Sequence, residues 1–178
     1  INMLCDPGVF LDTLNKLKVN NKWNLDNKWI EQNISEKKKW IDKSLKDLDK
    51  ETIEAKKNGG KIHPLQLALD VQDAMKDNDW LVIDGGNTHF WSEIAINIAG
   101  HKGKKLGGIL HPGTFSMLGV GVPFALSAKN LNPKSNVVLI SGDGAFLSGG
   151  LSIEAAFQEK KPIVVVIDNN GGLDCISQ

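Results

Sequence analysis

Four short apolar runs constrain the fold more than any other feature of the chain. They are Trp80-Leu81-Val82-Ile83, a weaker run around Gly108-Ile109-Leu110, Val137-Val138-Leu139-Ile140, and an unbroken run at 163–167. Helix-length stretches with apolar residues at helical spacing separate them. Runs of this kind, each bounded by helices, indicate strands buried on both sides, which is the pattern of a parallel sheet with helices on both faces. The fold class is therefore α/β. Pro64 opens one helix, at a position where its missing N–H is harmless. Further helices are predicted through Phe90 and Ile98, through Val122 and Ala128, and over about 146–159.

Residues 1–60 differ in kind. They hold 12 of the 21 lysines and only three of the 18 glycines. Trp29, Ile30, Ile34, Ile41, Leu45 and Leu48 recur at helical spacing between Lys and Asp, which predicts one or two amphipathic helices over 27–56 with this stripe as a packing face. Gly59-Gly60 ends the segment.

Charge and cysteine usage exclude several classes. All 21 basic residues are Lys, and 21 acidic residues balance them. Without Arg or a net positive field the chain lacks what a nucleic-acid binder uses to hold phosphate and read bases. It also lacks the polybasic patch of a membrane-surface protein, and no apolar run reaches the ~18 residues of a bilayer span. Cys5 and Cys175 form neither a disulfide framework nor a zinc spacing, so a reducing, cytoplasmic compartment is expected. The start has no signal-peptide pattern and no initiator Met. The expectation is an interior stretch of a larger protein.

The chemistry concentrates at two strand ends. Gly142-Asp143-Gly144 closes the third run and Asn169-Asn170 closes the fourth, with 27 residues from Asp143 to Asn170. A helix of ~14 residues travels ~21 Å away from the carboxyl edge, and a strand of ~6 residues returns ~20 Å. A right-handed crossover then brings both residues to the sheet edge where open α/β sheets bind ligands. Asp143 offers an anionic oxygen, Asn170 an amide oxygen, and the Gly171-Gly172 turn a backbone carbonyl. That set suits a hard cation such as magnesium that keeps coordination places for phosphate and water. The helix starting near Ala145 aims its free N–H groups at the same place, as a diphosphate requires.

These residues resemble the cofactor motif of thiamine-diphosphate-dependent enzymes. Asp84-Gly85-Gly86-Asn87-Thr88-His89-Phe90-Trp91 resembles the first diphosphate loop of the acetolactate synthase and benzaldehyde lyase branch. Gly113-Thr114-Phe115-Ser116-Met117-Leu118-Gly119-Val120-Gly121 resembles the thiazolium-carrying loop of that branch, of 2-hydroxyacyl-CoA lyases and of oxalyl-CoA decarboxylases. The resemblance implies that residues 61–178 are the pyrophosphate-type cofactor domain, incomplete at its C-terminus. Residues 21–60 would then be a helical linker and 1–20 the tail of a central domain. It implies a magnesium ion held by the side chains of Asp143 and Asn170 and the Gly172 carbonyl. Asn87, Thr88 and the N–H groups of Gly144 and Ala145, beside Gly142, would hold the diphosphate. Leu118 would wedge the bent cofactor, and the Ser116 carbonyl would accept from its aminopyrimidine. His89 and His111 fall near the mouth and are read as solvated loop residues. The activating glutamate is expected outside this chain, so no catalytic residue is assigned here, and a flavin, where one exists, would lie mainly in the central domain.

The implied activity is cleavage or formation of a C–C bond next to a carbonyl in a small molecule. The implied assembly is a homodimer or homotetramer with the cofactor between subunits. Three features depart from the family. Ser116 replaces a common glycine, Leu173-Asp174 stand where an aromatic and a glycine are usual, and the chain stops at Gln178. Such a piece would leave apolar surface exposed and is expected not to be stable alone. A split-chain decarboxylase subunit is the alternative enzyme. A dinucleotide-binding module is more remote, because Gly119-x-Gly121-x-x-Phe124 lacks the third glycine and carries Pro123 inside the turn. A noncatalytic scaffold is disfavoured by the presence of both Asp143 and Asn170.

Overall fold

A computed structural model describes residues 5–19 and 26–173. The chain divides into two compact units, Ile1–Ser44 and Leu45–Gln178. The boundary falls inside a long helix.

Two helices precede the sheet. Helix α1 (Pro7–Val19) starts where the Asp6 carboxylate accepts from the Val9 N–H at 3.1 Å, with Pro7 at the first helical position. Helix α2 (Asn27–Lys57) is a single helix of 31 residues. Its start is capped by Asp26, whose Oδ1 accepts from Lys28 N–H at 3.0 Å. It ends where Gly59 turns left-handed (φ 65°) and the Gly60 N–H returns to the Ala55 carbonyl at 2.7 Å. The apolar stripe is only partly a packing face. Ile41 and Leu48 are buried, but Trp29 and Ile34 are exposed among the described residues.

The sheet has four parallel strands: β1 (Trp80–Ile83), β2 (Gly108–Leu110), β3 (Val137–Gly142) and β4 (Val164–Asp168), in the order β2-β1-β3-β4. Val82 lies opposite Leu110 on one side and Leu139 on the other, and Gly142 lies opposite Asp168. Helix α3 (Pro64–Ala74) precedes β1. Helix α4 (Asn87–His101) joins β1 to β2, and α5 (Gly121–Leu131) joins β2 to β3. Right-handed crossovers put α4 on one face of the sheet and α5 on the other. The packing agrees, since α4 and α5 both lie on β1 and β3, with α3 against α4 and α6 against α5. Val82, Val137 and Leu139 form a core with Val122, Ala125 and Ala128 of α5, the two alanines letting that helix sit close.

The last crossover departs from the predicted continuous helix over 146–159. It is α6 (Asp143–Gly149), a 3₁₀ turn over 150–152, and α7 (Ile153–Gln158). The Gly149-Gly150 pair has the weakest helix propensity short of proline. Gly149 also backs onto the Gly119 carbonyl so closely that a Cβ would collide. Leu81, Val82 and Ile83 of β1 are fully buried, and burial thins toward β4, where Val164 and Ile167 are exposed.

From β1 the chain crosses toward β2, and from β3 it crosses toward β4. The loops after β1 and β3 therefore leave adjacent strands toward opposite faces. This is the switch point at which an open α/β sheet forms a crevice beyond its carboxyl edge.

Candidate functional site

The β1 side of the crevice is built on Asp84, which is 1% exposed. Its Oδ1 accepts from Gly85 N–H and Gly119 N–H, each at 2.9 Å. Its Oδ2 accepts from Gly121 N–H at 3.1 Å and Ser141 Oγ at 3.2 Å. Four neutral donors satisfy this buried carboxylate. They also tie the end of β1 to the turn before α5 and to β3. The N–H groups of Gly119 and Gly121 are thereby committed to Asp84, which removes them from the role a dinucleotide fingerprint would need.

Gly85 and Gly86 follow. A Cβ on Gly85 would strike the backbone carbonyls of Ser116 and Met117, so the loop over 116–118 can lie directly on this residue only because it is glycine. Gly86 (φ 91°, ψ −164°) is the cap position of α4 and offers no side chain, so the first-turn N–H groups have no side-chain cap. Asn87 and Thr88 are the first two residues of α4 rather than its cap. The Thr88 hydroxyl donates to Asp168 Oδ2 at 3.2 Å. Ser116 is left-handed (φ 46°, ψ 38°), and its hydroxyl accepts from Gly86 N–H at 3.4 Å. The Leu118 side chain comes within 3.6 Å of where a Gly86 Cβ would stand.

The β3 side presents Asp143 as the first residue of α6, with Gly142 at the cap and no side-chain cap bond. Asp143 Oδ1 accepts from Gly144 N–H at 2.8 Å, and Oδ2 from Gly171 N–H at 3.1 Å. Asn170 Oδ1 accepts from Gly172 N–H at 3.1 Å. The two oxygen-bearing side chains thus share one Gly171-Gly172 turn.

A cavity of about 230 Å³ lies between the two sides. Asn87, Thr88, Ser116, Leu118, Gly142, Asp143, Gly144, Ala145, Asn170 and Gly172 all line it. Gly85, Gly86, Phe90 and Leu173 line it as well. The two glycines belong to the motif already quoted, and Phe90 lies one turn after Asn87 on the same face of α4. Leu173 packs its side chain against Gly144, leaving no room there for a Cβ. Asp174, the other half of that departure, lies outside the described residues.

The reading of His89 as a solvated loop residue needs correction. His89 is 5% exposed and sits in the first turn of α4, its ring turned inward by helical spacing, whereas His111 follows β2 and is exposed.

The arrangement offers the uncapped N-terminus of a 15-residue helix, a carboxylate, an amide oxygen and an apolar floor. Those groups suit a phosphorylated ligand carrying a hard divalent cation and an apolar ring.

Known proteins resemble this chain in sequence. The family described as "Thiamine pyrophosphate enzyme, C-terminal TPP binding domain" matches residues 84–178, just over half of the chain. Human 2-hydroxyacyl-CoA lyase 2 is 33% identical over 119 residues, which is 66% of this chain and 18% of that protein. The catabolic acetolactate synthase of Raoultella terrigena is 29% identical over 116 residues, 65% of this chain and 20% of that protein. The acetolactate synthase of Bacillus subtilis (strain 168) is 28% identical over 127 residues, 71% and 21% respectively. The chain spans about a fifth of the length of the curated relatives it matches. It belongs to the thiamine pyrophosphate enzymes, through their C-terminal TPP-binding domain.

Proposed function

We propose that this chain is the cofactor-holding part of a thiamine-diphosphate- and magnesium-dependent enzyme that makes or breaks a C–C bond next to a carbonyl. The observation that carries the reading is the meeting of the loops after β1, β3 and β4 around one cavity at the switch point.

The residues fit the group. Asp143 accepts one N–H on each carboxylate oxygen and Asn170 accepts the Gly172 N–H on its amide oxygen, and since a carboxylate or amide oxygen has two lone pairs it can meet an N–H and a cation together. With the Gly172 carbonyl they make a three-oxygen set for magnesium. Asn87, Thr88 and the Ala145 N–H would hold the diphosphate beside Gly142. The Gly144 N–H would join them if released from Asp143. Leu118 would support the thiazolium, with Phe90 and Leu173 excluding water from the same wall, and the Ser116 carbonyl would orient the aminopyrimidine. When bound, the cofactor supplies an electron sink for the reaction.

Ligand pockets commonly measure about 300–1,000 Å³, so a cavity of about 230 Å³ accords with a site whose other wall comes from another subunit. On this reading residues 1–20 end a central domain, 21–60 link, and 61–178 carry the cofactor in a cytoplasmic homodimer or homotetramer. The substrate is a small carbonyl compound. A 2-hydroxyacyl-CoA lyase-like reaction is a second reading, favoured by the 33% identity to the human lyase. An acetolactate synthase-like carboligation is the first.

Calorimetry on the full-length protein tests the proposal. Thiamine diphosphate should bind with magnesium present and lose most of its affinity without it. Equal binding in both conditions, or none in either, would overturn it.

A further inference from the structure

A second cluster lies outside the cofactor cavity. His89 and Glu93 are four residues apart on α4, so helical spacing puts both on one face. His111, just after the edge strand β2, comes up to meet them. His89 Nε2 stands 3.0 Å from Glu93 Oε1 and 3.1 Å from His111 Nδ1, and all three atoms lie within 4.8 Å of one another.

The proton inventory makes the cluster unusual. The Gly113 N–H points at His111 Nδ1 at 3.3 Å, which marks that nitrogen as a lone pair, and a cation bound there would take it in place of this long hydrogen bond, leaving the Gly113 N–H to solvent. Glu93 offers carboxylate oxygens. His89 Nε2 has at most one proton to share between these two acceptors. If Nε2 carries that proton, Nδ1 is left as a buried acceptor, and it has no hydrogen-bond partner among the described residues. Three ligand-type atoms therefore converge on a point that one proton fills poorly.

We infer that His89 Nε2, Glu93 Oε1 and His111 Nδ1 form a binding site for a divalent transition cation of the zinc type, separate from the magnesium set at Asp143 and Asn170. Two imidazoles and one carboxylate with a fourth place open to solvent are a zinc ligand set, and imidazole selects such ions over magnesium. Tetrahedral zinc with ligands at about 2.1 Å requires ligand atoms about 3.4 Å apart. Two of the three edges are already close to this, and the third closes by rotation of the half-exposed Glu93 side chain. The ion would join the first turn of α4 to the end of β2. Ligating histidines usually donate their other N–H to a partner, worth about 10–100-fold in affinity. His89 Nδ1 lacks one, so binding should be micromolar rather than nanomolar. The site stands whether or not the cofactor reading holds.

The test titrates the full-length protein, held in excess magnesium, with Zn²⁺ by calorimetry and with Co²⁺ by visible absorption. Wild type should bind about one Zn²⁺ per chain at this set and give the intense bands of four-coordinate Co²⁺. Glu93 and His111 are exposed, so Glu93→Gln and His111→Ala should keep the fold, which a thermal melt checks. Since outer-shell partners alone are worth about 10–100-fold, each loss of a ligand should weaken zinc at least about tenfold. Asp143→Asn should leave zinc binding unchanged. No stoichiometric zinc, binding retained in either ligand variant, or loss in Asp143→Asn would overturn the inference.

Discussion

The Asp143 carboxylate accepts from the backbone N–H of Gly171 at 3.1 Å, across 28 positions of sequence. This bond joins the start of α6 to the loop after β4, so the side chain proposed as a magnesium ligand also holds the neighbouring loop in place. Asp143→Asn keeps the shape but removes the charge. It should reduce magnesium-dependent binding of thiamine diphosphate by at least about tenfold, since each tenfold is about 1.4 kcal/mol of interaction. Calorimetry on the full-length protein reads this directly.

Asp84 is a structural counterpart. Its buried carboxylate takes four hydrogen bonds, and each bond to a charged group is worth about 1.5–3 kcal/mol. Asp84→Ala would strand several buried N–H groups. It should destabilise the protein by at least about 3 kcal/mol, measured by urea unfolding, and should lower cofactor binding through misplacement of Gly85 and Gly86.

Ser116 occupies a left-handed backbone position (φ 46°), where glycine fits without steric cost. Non-glycine residues lose roughly 1–2 kcal/mol there, partly offset by the hydroxyl accepting from Gly86 N–H. Ser116→Ala keeps the strain and loses the bond. It should be less stable than Ser116→Gly by about 1 kcal/mol or more, a difference that chemical denaturation of the two variants resolves.

Gln72 is 1% exposed, and neither polar atom of its amide has a partner among the described residues. Burying such a group costs roughly 1–3 kcal/mol. Gln72→Leu, of similar volume, should therefore raise the unfolding midpoint. A fall in the midpoint would show that the amide has found a partner in the folded protein.

Much of this architecture was legible because two signals are local. The run at 137–140 and the β-branched run at 163–167 announce strands by composition, and Gly142-Asp143-Gly144 and Asn169-Asn170 announce where those strands stop. Simple crossover geometry then brings Asp143 and Asn170 to one edge. What was not legible depended on three-dimensional neighbours. Nothing local says that Asp84 gathers N–H groups from Gly119 and Gly121, 35 and 37 positions away. The two glycines at 149–150 do signal a weak helix locally, but the close approach of the Gly119 carbonyl to Gly149 does not show in the sequence. The inward turn of His89 follows from which face of α4 meets the sheet, and an apolar count over Asn87–His101 does not disclose the facing of its first turn.

The thinning of cover toward β4 has a mechanical consequence. Asn170, Gly172 and the Gly171 N–H that meets Asp143 all hang from the end of this strand, whose Val164 and Ile167 face outward. One half of the cavity wall is thus anchored in β1 and β3, and the other at the end of a strand with exposed residues. Local opening is easiest where few apolar contacts hold a segment. Whatever stiffens β4, a bound cation or a covering surface, reduces the ordering cost of the other, so the two should reinforce each other without touching.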